Sequence, residues 1–96
     1  MQSDIKIVRK AGRAEGRVQG VGFRIFVRTA ARGLGVTGWV KNMRDGSVTM
    51  ELQGDAATVE RLIAEIKRGD DWIVVKNFTQ NDLPVVEGED KFAIRY

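Results

Sequence analysis

The sequence predicts an α+β domain of order βαββαβ, with two helices on one face of a four- to five-stranded antiparallel sheet. Three observations carry that reading. Phe23, Phe26, Val27, Ala30, Ala31 and Leu34 recur at helical spacing, as do Val59, Leu62, Ile63 and Ile66. Val48, Met50 and Leu52 alternate with Thr49, Glu51 and Gln53, the period of a half-buried strand. Asp45-Gly46 sits between that strand and Val36–Lys41, where it predicts a hairpin.

In chain order, residues 1–6 read as a flexible polar lead. A weak strand runs from Ile7 to about Glu15, interrupted by Gly12. The Gly-rich stretch 16–24 follows, then the first helix, which Gly33 and Gly35 end. Strand Val36–Lys41, the turn Asn42–Ser47 and strand Val48–Gln53 come next. Asp55 is a good N-cap for the second helix, and Gly69 closes it. Trp72–Phe78 is apolar and β-branched and predicts a strand. A polar loop with Pro84, the only proline, leads to a final strand or edge at Lys91–Tyr96. No repeat or linker divides the chain, so residues 1–96 are expected to form one domain, ferredoxin-like in topology. Phe23 and Trp39 are expected in the core, and Gln19 is expected to shape its loop.

Composition narrows the chemistry. With 43% hydrophobic and 30% charged residues, the chain reads as a soluble globular protein. No apolar run approaches the roughly 18 residues of a membrane span, and no secretory signal is evident. A cytoplasmic location and no membrane association are therefore expected. Cysteine and histidine are both absent, which excludes disulfides and removes the main zinc ligands, so no metal or other cofactor is expected. The net charge of +3 is too small to argue for nucleic acid. Lys6, Arg9, Lys10, Arg13 and Arg17 precede or enter the Gly-rich stretch, while Asp82, Glu87, Glu89 and Asp90 lie far down the chain. Either a basic approach to an anionic substrate or a solvated strand face accounts for that distribution.

The stretch Gly16-Arg17-Val18-Gln19-Gly20-Val21-Gly22-Phe23-Arg24 joins the first strand to the first helix. Backbone amides turned outward, a helix N-terminus and one guanidinium together make an anion site, for which phosphate is the best fit. A Gly-rich turn with a surface arginine is the plainer alternative. The G-x-G-x-x-G and G-K-[ST] nucleotide motifs are absent, and no histidine is available to activate a hydroxyl. The carboxylate pairs Asp70-Asp71 and Glu89-Asp90 are adjacent in sequence, and since adjacent loop residues usually point apart, neither is expected to serve as a catalytic or metal pair. A phosphate site without nucleophile or base suits an acyl phosphate. Its carboxylate leaving group has a conjugate-acid pKa of about 4–5 and needs no proton. The protein then has only to hold the phosphoryl group and place a water in line. Asn42, neutral and polar, is the candidate to orient that water. On spacing alone the plainer reading, that it simply begins the Asp45-Gly46 hairpin, is the stronger one.

Residues 16–24, Gly38-Trp39-Val40-Lys41-Asn42 followed by Asp45-Gly46, and the terminal Phe92-Ala93-Ile94-Arg95-Tyr96 resemble the acylphosphatase family over nearly the whole chain. The resemblance implies a small, metal-independent enzyme that hydrolyses acyl phosphates to carboxylate and inorganic phosphate. It places the family's catalytic arginine on Arg24, its water-binding asparagine on Asn42, and its phosphate-holding amides on Arg17, Val18, Gln19, Gly20 and Val21. Inorganic phosphate should then be a product and a competitive inhibitor, and the protein a monomer. The segment Gly69–Trp72 departs from the small-residue pattern of many members.

Two other classes compete. An RNA-binding module shares the topology, but its aromatics stand two apart on a strand, whereas Phe23 and Phe26 stand three apart on a helical stripe. A non-catalytic domain of a larger carbamoyl-phosphate-handling protein is the second. The end of the chain directly after Phe92–Tyr96 favours an independent enzyme.

Overall fold

The structure, a computed structural model, describes residues 5–96. The elements are β1 (Ile7–Arg17), α1 (Phe23–Gly33), β2 (Thr37–Asn42), β3 (Val48–Asp55), α2 (Ala56–Arg68), β4 (Val74–Leu83) and β5 (Phe92–Arg95). They form a ferredoxin-like α+β fold whose sheet has the order β4-β1-β3-β2-β5. Asp55 caps α2, its carboxylate accepting from the Thr58 amide at 3.3 Å. Residues 1–4 of the expected flexible lead lie outside the described residues. Lys6 is tied down, its carbonyl accepting from the Ala56 amide at 2.9 Å.

The core lies between the helices and one sheet face. Val27 and Ala31 of α1 and Leu62 and Ile66 of α2 are fully buried with Met50 and Leu52 of β3. Burying one such large side chain contributes about 1.5–3 kcal/mol.

Four expectations need correction. First, the sheet is mixed: β1–β3, β1–β4 and β2–β3 are antiparallel, but β5 lies parallel to β2. After β4, at one edge, the chain must reverse and cross the sheet to reach the other edge, and that reversal aligns β5 with β2. Second, Gly12 does not interrupt β1. It lies under Phe78, where a Cβ would stand 2.7 Å from a ring carbon. Third, the strand expected at Trp72–Phe78 begins at Val74 and continues through the polar residues to Leu83. As an edge strand hydrogen-bonded only to β1, it tolerates polar side chains that mask the strand pattern. Trp72 lies outside it and is 70% exposed, while Ile73 takes the buried place. The Asp70 carboxylate accepts from the amides of both, each at 2.8 Å. Fourth, Trp39 is half-buried rather than in the core. It alternates with Val40 and Gly38 onto the face away from the helices, where the Arg95 guanidinium lies 4.6 Å from its ring centroid.

Topology also rearranges the charges. Lys10 pairs with Asp82 directly across the β1–β4 ladder. Arg9, only 3% exposed, donates to Glu51 at 2.8 Å and to both carboxylate oxygens of Glu89 at 2.8 and 3.2 Å. Arg13 pairs with Glu15 and Asp45. Of the acids far down the chain, Glu89 and Asp82 thus neutralise Arg9 and Lys10, while nearer acids pair with Arg13, and these three cations form no open approach to the Gly-rich stretch. Burial alone would lower the Arg9 pKa, but its hydrogen bonds to Glu89 and Glu51 outweigh that and raise it.

Candidate active site

The Gly-rich stretch leaves β1 at Arg17, opposite Val74, after a register shift at Glu15/Gly16. Val18 turns inward and is 1% exposed, which anchors the loop to the core. Gly20 and Gly22 then take φ of 74° and 78°, values that suit glycine and allow the chain to enter α1 in a tight turn. Gly22 is the N-cap of α1, and no side chain caps the helix there. Among the described residues, the amides of residues 18–22 have no hydrogen-bond acceptor. A helix start with free amides and no acidic residue in its first turn is receptive to an anion.

A cleft of about 160 Å³ lies against this helix start. Gly20, Gly22, Arg24 and Asn42 supply its polar lining, and Ile25 and Tyr96 stand at it as exposed apolar groups. Arg24 forms no ion pair among the described residues. Instead it lies across the end of β5, with Nη1 3.5 Å from the Arg95 carbonyl oxygen and its guanidinium carbon 4.9 Å from the Tyr96 ring centroid. Asn42 ends β2 on the helix side of the sheet, paired with Val48. Its Oδ1 is buried and has no hydrogen-bond partner among the described residues. A buried acceptor left unpaired costs about 1–3 kcal/mol, which is sensible where a bound molecule completes it.

The turn after Asn42 is held from two sides. Asp45 accepts from the Ser47 hydroxyl at 2.6 Å and the Ser47 amide at 2.9 Å, and Arg13 donates to its other oxygen at 2.7 Å. These three contacts, in that order, hold its carboxyl well below the usual carboxylate range. The Gln19 amide reaches in from the Gly-rich stretch and donates to the Met43 carbonyl at 2.7 Å and the Ser47 carbonyl at 2.9 Å.

Sequence-predicted residues thus fall into two sets. Arg24, Asn42 and Gly20 meet in one cleft, together with the inward-turned Val18. Arg17, Gln19 and Val21 do not line it. Ile25, Ile94 and Tyr96 were not expected at the site. The terminal motif was visible in sequence, but only the parallel pairing of β5 with β2 brings its end beside Arg24 and Asn42.

Fold and cleft together define a ferredoxin-like α+β protein with a built, anion-receptive pocket. Residues 10–94 match the family model described as Acylphosphatase. The chain is 43% identical over 90 residues to an acylphosphatase of Clostridium beijerinckii, covering 94% of this chain and 100% of that one. It is 44% identical over 87 residues to an acylphosphatase of Bifidobacterium longum, covering 91% and 90%. The crystal structure of acylphosphatase from Bacillus subtilis superposes with a TM-score of 0.88 at 32% identity, over 93% of this chain and 99% of that one. The chain belongs to the acylphosphatase family, hydrolases that act on acid anhydrides.

Proposed function

We propose that the protein hydrolyses acyl phosphates by in-line attack of a water held by Asn42 on a phosphoryl group held by Arg24 and the amides of Arg17–Val21. The observation that carries this reading is the buried, unpartnered Asn42 Oδ1 in the cleft it shares with Arg24. An acceptor there takes a hydrogen bond from one O–H of the water and leaves a lone pair of the water oxygen free for phosphorus. The new P–O bond forms as the bond to the carboxyl oxygen breaks, its electron pair staying on the carboxylate. The proton the water gives up goes to a phosphate oxygen or to solvent. Arg24 and the amides spread the charge on the equatorial oxygens, which is most of what such a transfer asks of a protein.

Inorganic phosphate fits the same cradle as product and competitive inhibitor. An RNA-binding reading fares worse on geometry. β3 carries no aromatic residue, and Trp39 on the open face already carries Arg95. Phosphate release from acetyl or benzoyl phosphate in the presence of a chelator tests the proposal. Rapid release there, with alkyl phosphate monoesters left intact, is the expected result. Absence of release, or release only with added magnesium or zinc, overturns it.

A further inference from the structure

The phosphate cradle and the water site sit on separate segments, 16–24 and 42–47, whose relative placement decides whether a water at Asn42 lines up with phosphorus. Among the described residues, one side chain alone ties residues 16–22 to 42–47 by hydrogen bonds, and it is Gln19. Both protons of its carboxamide are used, one on the Met43 carbonyl and one on the Ser47 carbonyl. Two carbonyl acceptors fix which end of the amide carries nitrogen, since its oxygen could bond neither. The Met43 amide in turn donates to the Ser47 carbonyl at 2.9 Å, so Gln19 grips the closed neck of the turn directly beside Asn42.

From this geometry we infer that Gln19 is a positioning residue for the hydrolysis, setting the distance between the phosphate-holding loop and the water on Asn42. The inference rests on the reading of Asn42 and Arg24 proposed above. Neither segment depends on Gln19 for its own shape. The loop is anchored by buried Val18 and entered through Gly20 and Gly22, and the turn is closed by Asp45 and Ser47. Loss of the tie therefore leaves a cradle that still binds phosphate and a turn that still presents Asn42, in a poorer register. Misplacement of reacting groups by about 1 Å is enough for a loss on the order of 10²-fold in rate. Binding of phosphate, which touches only the cradle, has no such dependence.

Gln19→Met keeps the length and removes the donors; Gln19→Glu keeps the shape and sets a carboxylate against two carbonyl oxygens. Both would be compared with the unsubstituted protein for kcat on acetyl phosphate, for competitive inhibition by inorganic phosphate, and for denaturant unfolding midpoint. The expected result is a fall in kcat on the order of tenfold or more, greater for Glu, with the phosphate inhibition constant changed by less than about twofold. Unchanged kcat in both folded variants overturns the inference. So does a loss of phosphate affinity in step with kcat, which would make Gln19 part of the cradle's own shape. If Gln19→Met unfolds, Gln19→Glu and a milder Gln19→Asn, too short to span both carbonyls, carry the same comparison. An unsubstituted protein that releases no phosphate overturns the reading of the site itself, and this inference with it.

Discussion

The Arg24 guanidinium lies 4.9 Å from the centroid of the Tyr96 ring, so a side chain from the first turn of α1 rests on the residue that follows β5. Among the described residues, Arg24 is otherwise held only by the Arg95 carbonyl, at the long distance of 3.5 Å. The ring therefore limits where the guanidinium can point before any anion arrives. Tyr96 is 92% exposed, and an exposed cation–π contact is worth about 0.5–1 kcal/mol. Tyr96→Leu is expected to weaken phosphate inhibition by about two- to fivefold, with little change in stability. Tyr96→Phe should behave as the original, because the ring and not the hydroxyl makes the contact. Titration of inhibition by phosphate checks both.

Gly38 gives a test of the sheet beneath the site. Its φ is 137°, and a Cβ there would stand 1.8 Å from the Glu51 carbonyl oxygen, a backbone atom with little freedom to retreat. Four residues further on, the same strand carries Asn42. Gly38→Ala should destabilise the fold by about 3 kcal/mol or more, a magnitude reserved for mutations that force a clash or an unsatisfied group. A denaturant midpoint within experimental scatter of the original would contradict the geometry.

Much of this was legible in the sequence, and what was not has identifiable causes. The two helices and the β2–β3 hairpin obey their periods, and Asp55, Gly69 and Asp45-Gly46 mark their ends by local chemistry. Arg24 and Asn42 came from motifs whose spacing the fold reproduces. Trp39 was misplaced because an aromatic in a strand fits either face, and Val40 had already claimed the core side. The pairing of Arg9 with Glu89 could not be read, since the two are separated by almost the whole chain and meet only because the segment after β4 crosses the sheet. The unexpected site residues Ile94 and Tyr96 depend on that same crossing.

The Arg9–Glu89 pair contributes to the loss of stability in acid. Burial pushes the Glu89 pKa up, but hydrogen bonds from Arg9 and Thr37 more than reverse that and hold it below the ordinary 4.5. A depressed folded pKa means stability that is complete above the unfolded value and lost as pH falls through the folded one. The protein should therefore keep full stability down to about pH 5 and lose it progressively below about 4.5. Glu89→Gln should flatten part of that loss while lowering stability at pH 7, because Arg9 would be left buried with one carboxylate, Glu51. Over pH 5–8, with no histidine or thiol in the chain, turnover on a fully ionised substrate should be nearly flat. A bell centred near neutrality would mean that a strongly shifted group acts as acid or base.

Arg24 and Asn42 should separate cleanly in kinetics. Arg24 is expected to hold phosphoryl oxygens in ground and transition state alike. Arg24→Ala should raise KM, weaken inhibition by phosphate and lower kcat, since charge-assisted contacts strengthen where charge develops. Lysine should rescue it poorly, because a point charge can neither reproduce the planar fork nor stack on the Tyr96 ring in the same way. Asn42 is expected to hold the attacking water, through an Oδ1 that has no partner among the described residues. Asn42→Ala should cut kcat by on the order of 10²-fold or more, the usual scale for losing one positioned group, while the phosphate inhibition constant barely moves. The turn beyond Asn42 has its own supports in Asp45 and Ser47, so the variant should stay folded, as an unfolding curve will show. Equal loss of phosphate affinity in the two folded variants would falsify this division of labour and make Asn42 a second ligand of the phosphate.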